Sequence, residues 1–236
     1  MIERVFERVS ATPLLAWQPG LPLALAGDEA ASPRPPDPAL PGRVRHQLDA
    51  GTWVDLVPGW CAGPDALFDA LLHGAAWTAR EVPMYDRVLP EPRLTAFFAS
   101  AVPEALAGIR DALRAAYAVP FDSVAVNLYR DGRDSVAWHG DRVGRHLPEP
   151  MVATVTLGAA RRFLLRPRTG GPTITLRPAA GDLLVMGGAC QRTWQHCVPK
   201  TARAVGPRMA VTVRHGADPA TGRWSRAEVA VSAPGS

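Results

Sequence analysis

Two histidines and one aspartate, His139, Asp141 and His196, have the residue types to bind a metal ion together. Two imidazoles and one carboxylate can occupy one face of an octahedral iron(II) ion and leave its other positions open, as in non-haem oxygenases. A His-x-Asp triplet alone is weak evidence, because it arises by chance in many proteins. In an extended chain, however, residues i and i+2 point to the same side. His139 and Asp141 can therefore converge on one ion, and we predict an iron site.

The segment RMAVTVR, residues 208–214, has an unusual pattern for a structural strand. Met209, Val211 and Val213 form an apolar face that suits a core. The opposite face carries Arg208 and Arg214 with two small residues between them. A buried cation is costly unless it is paired. A dicarboxylate such as 2-oxoglutarate would pair it, since its keto-acid end chelates the metal and its far carboxylate suits a guanidinium fork.

The segment SVAVNLYR, residues 123–130, repeats this alternation. Asn127 and Tyr129 fall on the face opposite Val124, Val126 and Leu128. An amide and a phenol could thus point to the cavity that the arginines face. The alternative is a hydrogen-bonded Asn and Tyr in the core, which would be the better interpretation if this strand stood alone.

The elements that must position these residues are mainly short strands separated by Gly and Pro. Strands are predicted at residues 51–56, 123–130, 151–157, 161–166, 173–177, 182–186 and 208–214. Helices are predicted from Gly63 to about Gly74 and from Pro103 to Ala116, where apolar residues recur at helical spacing. This pattern favours a mainly β fold with flanking helices, a sandwich or jelly roll.

One domain is the default for 236 residues of which 47% are hydrophobic. We place it at residues 51–216. Residues 1–50 are predicted to form an N-terminal leader and a Pro-rich linker too irregular for periodic structure. Residues 217–236 are predicted to form a C-terminal tail.

Several motifs, in this order, resemble the AlkB family of iron(II)- and 2-oxoglutarate-dependent dioxygenases. They read Asn127-Leu-Tyr129, Trp138-His139-Gly-Asp141, Trp194-Gln-His196, and Arg208 with Arg214 six positions later. The flanking phrases NLYRDGRDSVAWH and GDLLVMGGACQRTWQH are also similar to the family. The resemblance covers about residues 52–215.

The resemblance implies a double-stranded β-helix, which is a jelly roll, and an enzyme that uses Fe(II), 2-oxoglutarate and O2. It implies catalytic metal ligands at His139, Asp141 and His196. The implied reaction is the oxidative demethylation of N-alkylated bases in nucleic acid, a repair of alkylation damage. The partner would be alkylated DNA or RNA.

The resemblance also implies how 2-oxoglutarate binds. Arg208 with Tyr129 would hold its distal carboxylate, and Arg214 with Asn127 would contact its metal-bound end. Two alternatives stay open for the function: an oxygenase that acts on a protein side chain or a small metabolite, and a non-catalytic jelly-roll module that binds nucleic acid. The intact ligands and arginines argue against the second, since a pure binder would lose little without them.

Substrate recognition is expected between the two helices, where residues 84–98 resemble the family's lid, including its Pro-Arg-Leu-Thr-Ala phrase. A flipped base needs a stacking partner, which Trp77 or Tyr85 could supply. Arg93, in that phrase, and Arg142, beside the iron-binding turn, are the other candidate substrate contacts.

Val143 marks a departure from the best-known branch of the family. That branch has a carboxylate at this position, which can accept a hydrogen bond from the amino group of a methylated adenine or cytosine. Val143 has no polar atom to offer. We predict modest base selectivity or a replacement acceptor, with Asp86 and Glu91 as candidates.

Other residues receive simpler interpretations. Phe97 and Phe98 are expected in the core. The arginines from Arg161 to Arg168 form either a phosphate track or a solvated hairpin. Three cysteines without a CxxC motif fit a reducing compartment with neither a disulfide framework nor a thiolate zinc site.

Charge and hydropathy limit the partners and the location. The net charge of +4 is compatible with nucleic acid, although a strong bias toward arginine accounts for part of it. The apolar residues near the N-terminus are interrupted by Gln18 and Pro19 and follow Glu3 and Glu7, which argues against a signal peptide. No apolar run is long enough for a membrane span. We expect a cytoplasmic monomer.

Overall fold

The computed structural model describes residues 36–84, 87–98, 102–141, 143, 147 and 149–215. Its helices and strands are, in chain order, β1 (Val44–Asp49), β2 (Thr52–Val57), α1 (Pro64–Gly74), β3 (Glu81–Met84), β4 (Arg87–Pro90), β5 (Leu94–Phe98), α2 (Glu104–Tyr117), β6 (Ser123–Tyr129), β7 (Val136–His139), β8 (Val152–Gly158), β9 (Phe163–Pro167), β10 (Ile174–Leu176), β11 (Leu183–Gly188), α3 (Cys190–Thr193), β12 (Trp194–Val198) and β13 (Arg208–Arg214).

The strands form a large and a small antiparallel sheet. The large sheet has seven strands in the order β1-β2-β11-β8-β13-β6-β5, and the small sheet has four in the order β10-β9-β12-β7. A separate hairpin joins β3 and β4. Most neighbours in the two main sheets, such as β2 with β11 and β7 with β12, are distant in sequence, so segments far apart along the chain meet at fixed registers.

The large sheet is covered on one face by helices. Leu67 of α1 and Leu106 and Ile109 of α2 pack with Val126 and Val211 of the sheet in one buried apolar cluster. Val126 and Val211 lie on the apolar faces that the alternation in β6 and β13 predicts. The opposite faces of these strands are therefore turned toward the small sheet.

The space between the two sheets holds a second, smaller apolar cluster. Ala210 and Val54 of the large sheet lie there with Phe163, Leu165 and Trp194 of the small sheet. Polar side chains of β6 and β13 project into the same space. The functional site is thus built between the sheets and away from the helices.

Both predicted helices are present with nearly the predicted ends. The helix α1 begins after Gly63, whose φ of 60° lies in the left-handed region that favours glycine, and Pro64 and Asp65 follow in the first turn. The helix α2 begins one residue after the predicted Pro103, which serves as its N-cap. None of the described helices is both long and apolar enough to cross a membrane.

The large sheet extends beyond the predicted start of the domain. Residues Val44–Asp49 pair with β2, so the boundary placed at residue 51 falls within a hairpin. This edge strand is largely exposed and has the polar sequence VRHQLD, which lacks the apolar alternation that identifies a half-buried strand. The short helix α3 and the strands β5, β7 and β12 are further elements that the sequence pattern did not separate.

One prediction about the core is wrong. Phe98 is buried, but Phe97 is 45% exposed. Adjacent residues in a strand point to opposite faces, so both phenylalanines of β5 cannot face the same core. Cys61, Cys190 and Cys197 are buried free thiols, consistent with the prediction of no disulfide framework.

Candidate active site

The two histidines of the predicted iron site meet by strand pairing. β7 and β12 are antiparallel neighbours, and His139 lies directly opposite His196. Their ring centroids are 4.3 Å apart. Asp141 follows β7 after one residue, and the ligand atoms of these three side chains lie within 4.8 Å of one another. The structure therefore brings together the predicted metal ligands, although His139 and His196 are 57 positions apart in the sequence.

Hydrogen bonds hold the ligands in orientation. The Nδ1 atom of His139 lies 2.8 Å from the carbonyl oxygen of Ala137 and donates to it, which leaves Nε2 for a metal. The backbone N–H of Asp141 donates to the side-chain oxygen of Gln191. Arg214 binds Asp141 Oδ1 with an N–O distance of 2.7 Å. The other carboxylate oxygen, Oδ2, is 3.5 Å from Nε2 of His196.

The site keeps His196 and Asp141 in the protonation states that metals bind. Burial and the neighbouring His139 lower the pKa of His196 to about 3, so its imidazole is neutral near pH 7. Burial alone would raise the pKa of Asp141, but Arg214, His196 and His139 outweigh it and the pKa falls below its ordinary value. Metal ligands must be deprotonated. A neutral imidazole and a charged carboxylate meet that requirement.

Gly140, between two of the ligands, lies where a side chain has no room. A Cβ atom there would be 2.8 Å from the backbone oxygen of Gln191 and would also collide with the guanidinium of Arg168. The close approach lets the turn pack against α3, whose Gln191 holds Asp141. The His-Gly-Asp spacing is therefore fixed by packing as well as by strand geometry.

Arg208 provides the strongest evidence for an anionic ligand. Its side chain is 2% exposed, and burial lowers the pKa of its guanidinium below the ordinary value. Nη2 lies 3.3 Å from the hydroxyl of Thr156, whereas Nε and Nη1 have no hydrogen-bond partner in the described part of the protein. A carboxylate could bind one edge of this guanidinium in the bidentate geometry that such groups favour, through Nη2 together with either Nη1 or Nε. The residues present thus fit both an iron ion and a dicarboxylate.

A model of the 2OG-Fe(II) oxygenase superfamily matches residues 72–216. The chain belongs to this superfamily. Membership confirms the predicted enzyme class, which uses Fe(II), 2-oxoglutarate and O2.

Curated relatives of this oxygenase are AlkB homologues. The DNA oxidative demethylase ALKBH2 of Arabidopsis thaliana is 31% identical in an alignment of 191 positions that covers 62% of this chain and 60% of the plant protein. The alpha-ketoglutarate-dependent dioxygenase alkB homolog 3 of Homo sapiens is 30% identical in an alignment of 190 positions that covers 68% of this chain and 65% of the human protein. The match spans less than two thirds of the length of these relatives. It confirms the predicted resemblance to the AlkB family.

Solved structures of other oxygenases share the fold. The structure of OsALKBH1 matches with a TM-score of 0.53 at 14% identity and covers 73% of this chain and 100% of that one. A prolyl hydroxylase from Trichoplax adhaerens matches with a TM-score of 0.53 at 12% identity, over 69% of this chain and 83% of its own. At such identities these similarities concern the fold alone. They confirm the predicted jelly roll.

The residues predicted to bind 2-oxoglutarate in this oxygenase lie around one cavity. Asn127, Tyr129, Arg208 and Arg214 line it together with the three metal ligands. The side-chain oxygen of Asn127 accepts a hydrogen bond from Thr95, which leaves its amide nitrogen for a ligand. Asn127 and Tyr129 are both buried and hydrogen-bonded, as in the alternative interpretation of a core Asn and Tyr, and both also line the cavity.

The predicted substrate residues of the oxygenase have different outcomes. Trp77 is a core residue, 6% exposed, and its indole N–H donates to the backbone oxygen of Leu72. Its proposed role as a stacking partner for a base is wrong, because its ring packs with the helices. Tyr85 and Arg142 lie outside the described residues. Arg93 does reach the cavity, where it contacts other protein side chains.

The arginine run that follows β8 divides between structural and surface roles. Arg161 is 5% exposed and donates to the backbone oxygens of Asp131, Asp134 and Pro199. This burial and its bonds to three backbone oxygens give Arg161 a structural role, and it is not part of a phosphate track. Arg162 and Arg168 are exposed.

Several residues that shape the site were not found from the sequence. Phe163 stacks on His196 with ring centroids 5.1 Å apart. Gln191 accepts a hydrogen bond from the backbone of Asp141, and Thr156 accepts one from Arg208. Gln191 lies in the GDLLVMGGACQRTWQH phrase, which was the one available signal for it. The other two depend on strand register, which no local pattern reveals.

Proposed function

We propose that this protein removes alkyl groups from nucleic-acid bases by oxidation. The observation that carries the proposal is the buried guanidinium of Arg208 with two unsatisfied nitrogen atoms, in one cavity with the His139, Asp141 and His196 cluster. A non-catalytic binding module would have no use for this costly arrangement. The names of the AlkB relatives, among them a DNA oxidative demethylase, support alkylated bases as the substrate class.

The chain's own residues would bind the reactants and protect the reaction. Iron(II), held by His139, Asp141 and His196, would together with 2-oxoglutarate and O2 supply the hydroxylation of the N-alkyl carbon. That carbon would leave as an aldehyde, and 2-oxoglutarate would be converted to succinate and carbon dioxide. Arg214 binds one oxygen of Asp141 and so directs the other toward His196 and the metal position. Phe163 covers the ring of His196 and keeps water from that side.

Arginines around the metal-binding turn support a polyanionic substrate. The guanidinium of Arg168 lies against Gly140, the residue between the metal ligands His139 and Asp141. Arg168 is exposed. Arg166 lies 4.1 Å from the ring centre of Trp138, the residue before His139. Cations at this position would attract the phosphates of a strand whose base enters the site.

The proposal is tested by measuring formaldehyde and succinate with oligonucleotides that carry 1-methyladenine or 3-methylcytosine. DNA and RNA, single-stranded and double-stranded, are compared with methylated peptides and a metabolite panel. We expect both products from at least one oligonucleotide and none with the His196→Ala protein, whose fold is checked by circular dichroism.

The outcomes separate the alternatives. Formaldehyde or hydroxylated product from peptides or metabolites alone would refute the nucleic-acid substrate and keep the oxygenase. Oligonucleotide binding without any 2-oxoglutarate turnover would identify a binding module. Monomeric state and cytoplasmic location stay predictions.

A further inference from the structure

Two arginines and the tyrosine between them lie side by side across the large sheet. Arg208 of β13 lies directly opposite Tyr129 of β6. On the other side of β6, Leu94 pairs with Leu128, so Arg93, one residue earlier, comes beside Tyr129. Tyr129 is thus flanked by an arginine on each side. This arrangement depends on the registers of two strand pairs. Arg93 and Arg208 are 115 positions apart in the sequence.

Arg93 is held against the phenol by specific contacts. Its Nη1 donates to the hydroxyl oxygen of Tyr129 at 3.3 Å, and its Nε donates to Glu91 at 3.2 Å. The side chains of Arg93 and Glu91 are only 13% and 17% exposed. Because the phenol oxygen accepts this bond, its own O–H remains free to donate to another acceptor.

The charges around Tyr129 are unbalanced. Arg93 and Arg208 are cations, whereas Glu91, bound to Arg93, is the one carboxylate that contacts either of them in the described residues. Nε and Nη1 of Arg208 lack partners, and its guanidinium lies 5.2 Å from the Tyr129 ring centre. A carboxylate beside Arg208 would accept from the guanidinium and from the Tyr129 hydroxyl together. The far carboxylate of 2-oxoglutarate has this chemistry.

We infer that Arg93 is a positioning residue for 2-oxoglutarate, acting through Tyr129, and not a contact to the nucleic-acid substrate. Its guanidinium fixes the phenol and turns the hydroxyl proton toward the far carboxylate of the dicarboxylate. Glu91 in turn fixes Arg93. The inference needs the oxygenase chemistry of the superfamily only, so it stands or fails independently of the base-demethylation proposal.

The experiment compares two keto acids that differ at the carboxylate in question. 2-Oxoglutarate and 2-oxobutyrate both chelate a metal, but 2-oxobutyrate has no distal carboxylate. Their affinities are measured by calorimetry on the Mn(II)-loaded protein, which does not turn over. With Arg93→Met we expect 2-oxoglutarate to bind about tenfold more weakly, the value of one hydrogen bond to a charged group. The affinity for 2-oxobutyrate should stay within about twofold.

A cycle with Tyr129→Phe tests whether the effect passes through the phenol. If Arg93 acts by orienting the hydroxyl, adding Arg93→Met to Tyr129→Phe should cause no further loss of 2-oxoglutarate affinity. Arg80→Met is the matched control, because Arg80 lies near the ring of the exposed Phe97 at 5.9 Å and does not line the cavity. Melting temperatures of all variants identify any that fail to fold, and Arg93→Lys, which keeps the charge, replaces Arg93→Met in that case.

Three results would overturn the inference. Equal weakening of both keto acids would mean that Arg93 only maintains the shape of the pocket. Full additivity in the cycle would mean that Tyr129 does not transmit the effect. An unchanged 2-oxoglutarate affinity with a raised Michaelis constant for the oligonucleotide would mean that Arg93 contacts the nucleic-acid substrate and does not position 2-oxoglutarate.

Discussion

Arg208 is a buried cation whose counter-charge the described part of the protein does not supply. The alternation in residues 208–214 predicts that its side chain points inward, and the structure adds that two of its nitrogen atoms are unsatisfied. A buried unpaired charge destabilises a fold by several kcal/mol. Such a residue is kept for its ligand, and 2-oxoglutarate binding should stabilise the protein measurably.

Replacement of Arg208 by lysine tests the carboxylate clamp. Lysine keeps the positive charge and loses the planar fork that binds a carboxylate with two nitrogen atoms. Steady-state kinetics should show the Michaelis constant for 2-oxoglutarate raised by about tenfold or more. Iron affinity should be unaffected, since Arg208 does not contact His139, Asp141 or His196. An unchanged Michaelis constant would remove Arg208 from the cosubstrate site.

Under the proposed function, Val143 is expected to limit the selectivity between bases. It is 5% exposed in the apolar cluster between the sheets and has no polar side-chain atom. Glu91, one suggested replacement acceptor, is bound to Arg93, and Asp86 lies outside the described residues. An apolar contact discriminates weakly between bases, whereas an unpaired buried acceptor discriminates strongly.

Competition between 3-methylcytosine and 3-methylthymine measures this selectivity. We expect the native enzyme to prefer 3-methylcytosine by no more than about a hundredfold, in the range that apolar contacts provide. Val143→Asp should raise the preference for the base that carries an amino group, and Val143→Ala should leave it unchanged. A native preference of several orders of magnitude that survives Asp86→Ala and Glu91→Ala would contradict the expectation.

At the scale of elements, the sequence predicts those strands whose two faces differ. β6, β8 and β13 alternate between apolar and other residues or are apolar throughout, and their predicted bounds agree with the structure to within one residue. β1 was missed because an exposed edge strand needs no apolar face. Partners across strands were missed for a different reason. The contact between Arg93 and Tyr129 depends on the register of β5 against β6, and no residue spacing encodes that register.

The turn that follows β7 and packs against α3 gives a prediction of its own. In Gly140→Ala, the new methyl group would meet the backbone oxygen of Gln191, which cannot move as a flexible side chain does. Gln191 holds the N–H of Asp141, so the carboxylate should shift from the metal position. We expect metal affinity, measured with Mn(II), to fall about tenfold to a hundredfold, as for the loss of other groups that orient ligands.

Gly108→Ala is the control for this substitution. Gly108 lies in α2, and a Cβ atom there would meet nothing within 4 Å. Alanine favours helices over glycine, so this protein should be slightly more stable with unchanged metal affinity. Equal metal affinity in the two variants would mean that the tight turn at Gly140 does not position Asp141.

At the scale of the whole molecule, some of the described arginines bind a carboxylate, whereas others line a cleft. Arg110 and Arg114 bind Asp111, and Arg133 binds Asp131. A separate cleft of about 360 Å³ contains the exposed Arg162, Arg177 and Arg203 beside the buried Arg161. None of the described residues that line this cleft has a carboxylate. The cleft lies at the start of β9 and the end of β12. Its residue Pro199 is three positions after His196, so the cleft is about 10 Å from the histidine pair.

The salt dependence of oligonucleotide binding tests whether this cleft binds the strand that supplies the base. Each phosphate contact on a single strand contributes about 0.7 to the slope of log affinity against log salt concentration. Replacing Arg162, Arg177 and Arg203 with glutamine should therefore lower the slope by up to about 2. The triple replacement of Arg110, Arg114 and Arg133 removes the same net charge from residues already bound to carboxylates, and should change the slope much less. If both triple variants lower it equally, net charge alone attracts the strand and the cleft is not its binding surface.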